Sequence, residues 1–105
     1  MRFLVVTKSK FPFPPEAAAG LVDATEAWRD RMTKEKKMEQ AWSFAGITGG
    51  GGIVNVKSAE ELDAVMTEFP FGPFSEVQVF VLADIKSSLA NTKRAIQQMA
   101  PGPRK

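Results

Sequence analysis

The sequence predicts an α+β domain: a four-stranded antiparallel sheet with helices on one face. Three features carry that expectation. Short strand-like runs alternate with helical-period apolar stripes in the order β-α-β-β-α-β. The stretch from Ala41 to Phe74 outlines a strand, a glycine turn, a second strand, a capped helix and a proline-stiffened loop. The last strand, around Val77, Val79 and Val81, is apolar on both of its faces, as is the first. With 105 residues, 44% hydrophobic and 25% charged, the chain has the composition of one packed domain rather than a disordered one. Residues 1–100 read as that domain and 101–105 as a flexible tail.

Phe3 to Thr7 is a β-branched apolar run and forms the first strand. The prolines of SKFPFPPE make a stiff connection, and Pro15 suits the first turn of a helix, where its missing N–H is no loss. From Glu16 to about Lys37, Leu21, Ala24, Trp28 and Met32 recur at helical spacing, with cations gathered toward the C-terminal end. Met38 to Ala45 is the second strand, with Met38, Gln40, Trp42 and Phe44 on one face. Gly49 to Gly52 turns the chain into a partner strand, Ile53 to Val56. Ser58 to Glu61 is a capping box, followed by Leu62, Val65, Met66 and Phe69 on one helical face. Pro70, Gly72 and Pro73 end that helix. Glu76 to Asp84 is the fourth strand, and Ile85 to Met99 a last helix. The result is a ferredoxin-like βαββαβ pattern with a C-terminal helix.

Two helices cover one face of such a sheet. An open face should be polar, yet the first and last strands carry apolar residues on both sides. A second subunit is therefore expected over the other face, making a homodimer.

Composition removes several functions. There is no histidine or cysteine, which takes away disulfides, thiolate nucleophiles and the usual zinc ligands, and makes cytoplasm the default compartment. A net charge of +2 is too slight for a nucleic-acid partner. The third strand has no aromatic residue for base stacking. No apolar run reaches the roughly 20 residues of a membrane span, so no membrane partner is expected. GGIVNVKS resembles a phosphate loop only superficially: Val56 stands where its second glycine is required, and the run is itself a strand. Acid–base chemistry is left to carboxylates, namely Asp23 and Glu26 on the first helix and Glu39 and Asp84 at strand ends. Asn55 and Gln78 interrupt apolar strand faces, either as structural hydrogen-bonders or as the lining of a polar cavity.

Several segments together resemble the muconolactone isomerase family. They are Met1-x-Phe3 with Lys10-Phe11-Pro12, Trp42-Ser43-Phe44-Ala45-Gly46, Val56-Lys57-Ser58-Ala59-Glu60-Glu61-Leu62, Phe69-Pro70-Phe71-Gly72-Pro73-Phe74, and Ser87-Ser88 beyond the last strand. The resemblance implies a dimeric α/β barrel, in some members assembled further, and a proton shift within an unsaturated lactone carboxylate during aromatic-compound degradation. It implies neither metal nor organic cofactor. On that reading Glu26 is the proton shuttle, Arg29 or Lys8 the anion anchor and Trp42 a pocket wall, with Asn55 and Gln78 as further substrate-binding residues. The chain departs from the family's pattern at Leu4, Val6 and Ile47, where polar residues are expected. It departs again at Glu39 and Gln40, near an expected arginine, and at Thr25 and Ala27, where acids are expected. These differences imply a hydrophobic organic acid or lactone other than muconolactone. The alternatives are a non-catalytic oligomeric ligand-binding or assembly protein and a cofactor-independent oxygenase.

Overall fold

A computed structural model describes residues 1–99 of the chain, so the expected tail at 101–105 lies outside the described residues. The elements are β1 (Arg2–Ser9), α1 (Pro15–Lys34), β2 (Met38–Ser43), β3 (Gly49–Asn55), α2 (Ala59–Thr67), a 3-10 turn (Gly72–Phe74), β4 (Ser75–Val81) and α3 (Ile85–Met99). The sheet order is β2-β3-β1-β4, and every pairing is antiparallel. This is the ferredoxin-like arrangement that the element order predicts.

The core forms where α1 and α2 lie on the central strands. Phe3, Val5 and Val54 from the sheet are buried against Trp28 and Met32 of α1 and Leu62 and Val65 of α2. Trp28 is a buried core residue, and its indole Nε1 donates to the Val65 carbonyl at 3.2 Å, tying the two helices together. Leu21 is only half-buried and Ala24 is exposed, so the N-terminal half of the α1 stripe stands away from the core. The capping box is present: Ser58 Oγ accepts from the Glu61 N–H at 3.1 Å, and the Glu61 carboxylate accepts from the Lys57 N–H at 2.7 Å. Lys57 and Ser58 therefore open a helix and hold no phosphate loop.

Two expectations about strand geometry are corrected. The glycine run is not the turn. Gly49 to Gly52 belong to β3, and the chain reverses earlier, over Ala45 to Thr48, where Gly46 takes φ +88°. The expected strand Ile53–Val56 is thus the second half of a longer one. The expected face pattern of β2 also fails, because the register slips between Met38, opposite Val54, and Gln40, opposite Ile53. Glu39 is the extra residue of a β-bulge, so Met38 joins the core side while Gln40 falls on the other face.

The other face carries Leu4, Val6, Ile53 and the half-exposed ring of Phe80, with no helix over it among the described residues. A polar cluster sits at one end of it, where Arg2 makes a bidentate pair with Glu39 and the Asn55 amide donates to Glu39 Oε2 at 3.0 Å. β4 is exposed on its core side too: Val77, Val79 and Val81 share the parity of Phe3 and Val5 but lie beyond the reach of the helices.

α1 ends in a Schellman motif, with the Lys37 N–H bonded to the Met32 carbonyl and the Lys36 N–H to the Thr33 carbonyl. Lys36 holds φ +62°, the left-handed conformation that normally calls for glycine. Lys36→Gly should stabilise the protein by about 1 kcal/mol, read as a higher midpoint of urea unfolding. A lower midpoint would show that the lysine side chain has an unseen structural role.

Three carboxyls are held below their ordinary range: Glu39 by its hydrogen bonds from Arg2, Glu61 by the Lys57 N–H, and Asp84 by the Ser87 N–H at the start of α3. Because their folded values are lowered, their contribution is complete above the ordinary carboxylate range. It is lost as pH falls through the lowered values. Glu39→Gln should therefore flatten the acid limb of a stability-versus-pH curve while leaving its neutral-to-alkaline limb unchanged in shape.

Candidate functional site

A half-open cavity of about 700 Å³ lies between the core side of the sheet and the middle of α1, from Val22 to Arg29, closed at one end by the loop after α2. That volume is ordinary for a small-molecule site. Its floor is unusual. Gly49, Gly50 and Gly51 contribute backbone only, so β3 presents no side chains there.

The glycines are required by close approach. A Cβ on Gly49 would stand 2.3 Å from the Thr7 carbonyl oxygen, and one on Gly50 2.5 Å from that of Trp42. At Gly51 it would meet the Val5 carbonyl at 2.9 Å and Trp42 Nε1 at 3.2 Å, so the indole rests on bare backbone. Trp42 borders the cavity at the sheet edge, although its pairing with Gly51 gives it the parity of the open face. It is 40% exposed.

One wall is a continuous run of aromatic rings. Trp28 packs on Phe69 at 5.2 Å between centroids and Phe69 on Phe71 at 6.3 Å. Phe71 in turn meets Phe13 edge-on at 5.4 Å, and Phe13 meets Phe74 at 5.9 Å. Two loops hold this wall in place, since the Lys10 and Phe11 N–H groups both donate to the Phe74 carbonyl, at 2.9 and 3.0 Å. The recurring phenylalanines of FPFGPF therefore form a surface for an apolar ligand, a role that the sequence reading did not give them. The signal was there in the spacing of three phenylalanines around rigid prolines and a glycine.

Against these walls stand two ionisable side chains, Glu26 and Arg29. They are three residues apart and so share a face of α1. Arg29 Nη2 lies 3.4 Å from Asp30 Oδ1 in an exposed pair, and Glu26 has no ion-pair partner among the described residues. Thr25, another cavity-lining residue, has its Oγ1 buried without a hydrogen-bond partner among the described residues.

Of the six residues given a catalytic or substrate-binding role in the sequence, the structure brings Glu26, Arg29 and Trp42 to one cavity, while the further carboxylates Asp23, Glu39 and Asp84 lie outside it. It places the other three of the six elsewhere. Lys8 is exposed on the open face opposite Glu76, Gln78 is exposed there opposite Val6, and Asn55 is engaged with Glu39. The one-residue alternation of a strand puts Lys8 and Thr7 on opposite faces, and Thr7 is the one that lines the cavity. Among the described residues there is no cluster of three acidic side chains to hold a metal ion, and no helix long and apolar enough to cross a membrane.

A family model for muconolactone delta-isomerase matches residues 1–88, most of the chain. The chain belongs to the muconolactone delta-isomerase family. Its fold is also similar to the crystal structure of muconolactone isomerase, at 25% identity and a TM-score of 0.75, covering 85% of this chain and 95% of that one. A further likeness is to 5-chloro-2-hydroxyhydroquinone dehydrochlorinase (TftG) from Burkholderia phenoliruptrix AC1100 in complex with 2,5-dihydroxybenzoquinone. There the identity is 19% and the TM-score 0.62, over 83% of this chain and 98% of that one, a likeness of fold alone. Comparison with curated proteins gives no match. The family match ends inside α3, so most of that helix lies beyond it.

Gly50→Ala should cost roughly 1–3 kcal/mol, because the added methyl must push the β2 backbone away from β3. Chemical denaturation measures this directly, and an unchanged midpoint would mean that the strands separate freely.

Proposed function

We propose that the cavity takes a small hydrophobic organic acid or lactone and shifts a proton within it, without a cofactor. The observation that carries the reading is the pair of ionisable groups, Glu26 and Arg29, on one face of α1 against an aromatic wall. In such a 1,3-shift the Glu26 carboxylate removes a proton from an activated carbon beside the unsaturated system. It becomes the neutral acid, and the electron pair delocalises into a dienolate. The same proton then returns to the far carbon, so the double bond moves and the enzyme is restored. The Arg29 guanidinium faces the substrate carboxylate or the developing oxyanion, where a cation contributes most. Phe71, Phe74 and their neighbours exclude water from the intermediate, and Trp42 closes the rim.

The native substrate differs from muconolactone on this reading. Two of the chain's departures from the family pattern, Thr25 and Ile47, are cavity residues, and Ile47 turns a polar position into an apolar one. The active form is taken to be a homodimer joined through the open sheet face, as the apolar Leu4, Val6, Ile53 and Phe80 favour.

One observation favours a second reading, a ligand-binding protein without catalysis. Glu26 is exposed to solvent, whereas a carboxylate is a better shuttle when burial raises its basicity.

The test is a panel of unsaturated lactones and organic acids incubated in deuterated water and followed by NMR. Double-bond migration is expected for at least one of them, with kcat reduced by ~10²-fold or more in Glu26→Gln. KM is expected to rise in Arg29→Leu. Full activity in Glu26→Gln would remove the shuttle. Saturable binding with no migration across the panel would establish the second reading.

A further inference from the structure

Thr25 Oγ1 is the one buried side-chain polar atom among the described residues that has no hydrogen-bond partner. It is cut off from bulk water as well, and a hydroxyl so placed costs free energy that a partner would recover. Within a helix the usual remedy is the carbonyl four residues back. Thr33 donates to the Arg29 carbonyl at 2.9 Å, Thr67 to that of Asp63 at 2.7 Å and Thr92 to that of Ser88 at 2.9 Å. Thr25, the fourth helical threonine of the described residues, makes no such bond to Leu21.

The unused hydroxyl belongs to the cavity face of α1. Val22, Thr25, Glu26 and Arg29 border the hollow at spacings of i, i+3, i+4 and i+7. Two other hydroxyls of the lining are already engaged with backbone carbonyls. Thr7 Oγ1 donates to Gly50 at 3.3 Å and Ser75 Oγ to Phe71 at 2.8 Å. Ser9, Ser43 and Thr48 are exposed, so water serves them. Thr25 is thus the lining hydroxyl whose partner is missing from the free protein.

We infer that Thr25 is a specificity-determining residue, whose hydroxyl bonds a hydroxyl or carbonyl oxygen of the bound acid at a distance from its carboxylate. The inference rests on the proposed anchoring of an acid at Arg29, but not on the proton shift. Four residues separate Thr25 from Arg29, a rise of about 6 Å, so the ligand's second oxygen stands roughly one helical turn from its carboxylate. A helical threonine divides between two χ1 wells, and turning from one to the other presents its oxygen to a guest in the hollow. An acid lacking the second oxygen leaves the hydroxyl unpaired in a site that the guest has closed to water. Sites of that kind discriminate between ligands that differ by one polar atom.

The probes are 3-hydroxyphenylacetate and phenylacetate, which differ by one hydroxyl and contain no double bond that the proposed reaction could move. Calorimetric titration should show the hydroxylated acid binding the wild-type protein ~10-fold more tightly. Thr25→Val keeps the shape and removes the oxygen, so it should lose that preference while binding phenylacetate as before. Thr25→Ser should retain it. Without ligand, Thr25→Val should unfold at a higher urea concentration, the opposite of what loss of a structural hydrogen bond produces. Equal binding of the two acids by the wild type, binding of neither, an unchanged preference in Thr25→Val, or a lowered urea midpoint would each overturn the inference. Arg29→Leu should weaken both acids alike, so a fault in the anchor is told apart from a fault at Thr25.

Discussion

The strand that carries no side chains governs this structure. At Gly49, Gly50 and Gly51 the neighbouring carbonyls come within the space that a Cβ would need, so the backbone itself fixes how closely β1, β2 and β3 approach. The same absence has opposite effects on the two faces. On the core side it excavates a floor beneath α1, and on the other it gives the Trp42 indole a flat seat. A side chain at these positions would both separate the strands and fill the hollow. Stability and cavity are therefore set by one sequence feature.

Around that floor the chain divides its apolar residues unevenly. Eight of them make a well-buried core under two helices, and they are gathered at the Trp28–Met32 end of α1. At the other end the helix rises away from the sheet, and the aromatic run from Trp28 to Phe74 occupies the gap as a wall instead of a filling. Phenylalanine suits this position because it presents a broad apolar area with few rotatable bonds. Glu26 and Arg29 emerge from the same helix one turn apart, so the groups that could do chemistry are fixed by the element that also closes the core.

Most of the fold was legible because local signals agreed with one another. The capping box at Ser58, the proline at the start of α1, and the alternation in β1 and β4 each predict an element that is present. What failed did so for definable reasons. Four glycines in a row have the local preference of a turn, and only the neighbouring strands, which lie far away in sequence, make them a strand. The bulge at Glu39 is invisible to a period-two reading, since nothing in MEQAWS announces an extra residue. The site was half legible. Glu26 and Arg29 could be found from their place beside the Trp28 stripe, but the face taken by Lys8 and Gln78 depends on which residue of a two-sided apolar strand the helices choose to cover. Asn55 was readable as an amide on an apolar strand face in need of a partner; it is in fact exposed, and its partner, Glu39, is supplied by the bulge.

The double hydrogen bond at the Phe74 carbonyl has a mechanical consequence. One acceptor holds two consecutive amides of the β1–α1 connection, so the segment bearing Phe13 and the segment bearing Phe71 and Phe74 behave as a single plate. Neither can swing out while the other stays. The aromatic side of the hollow is thus pinned through a single carbonyl, while Glu26 and Arg29 border it from α1.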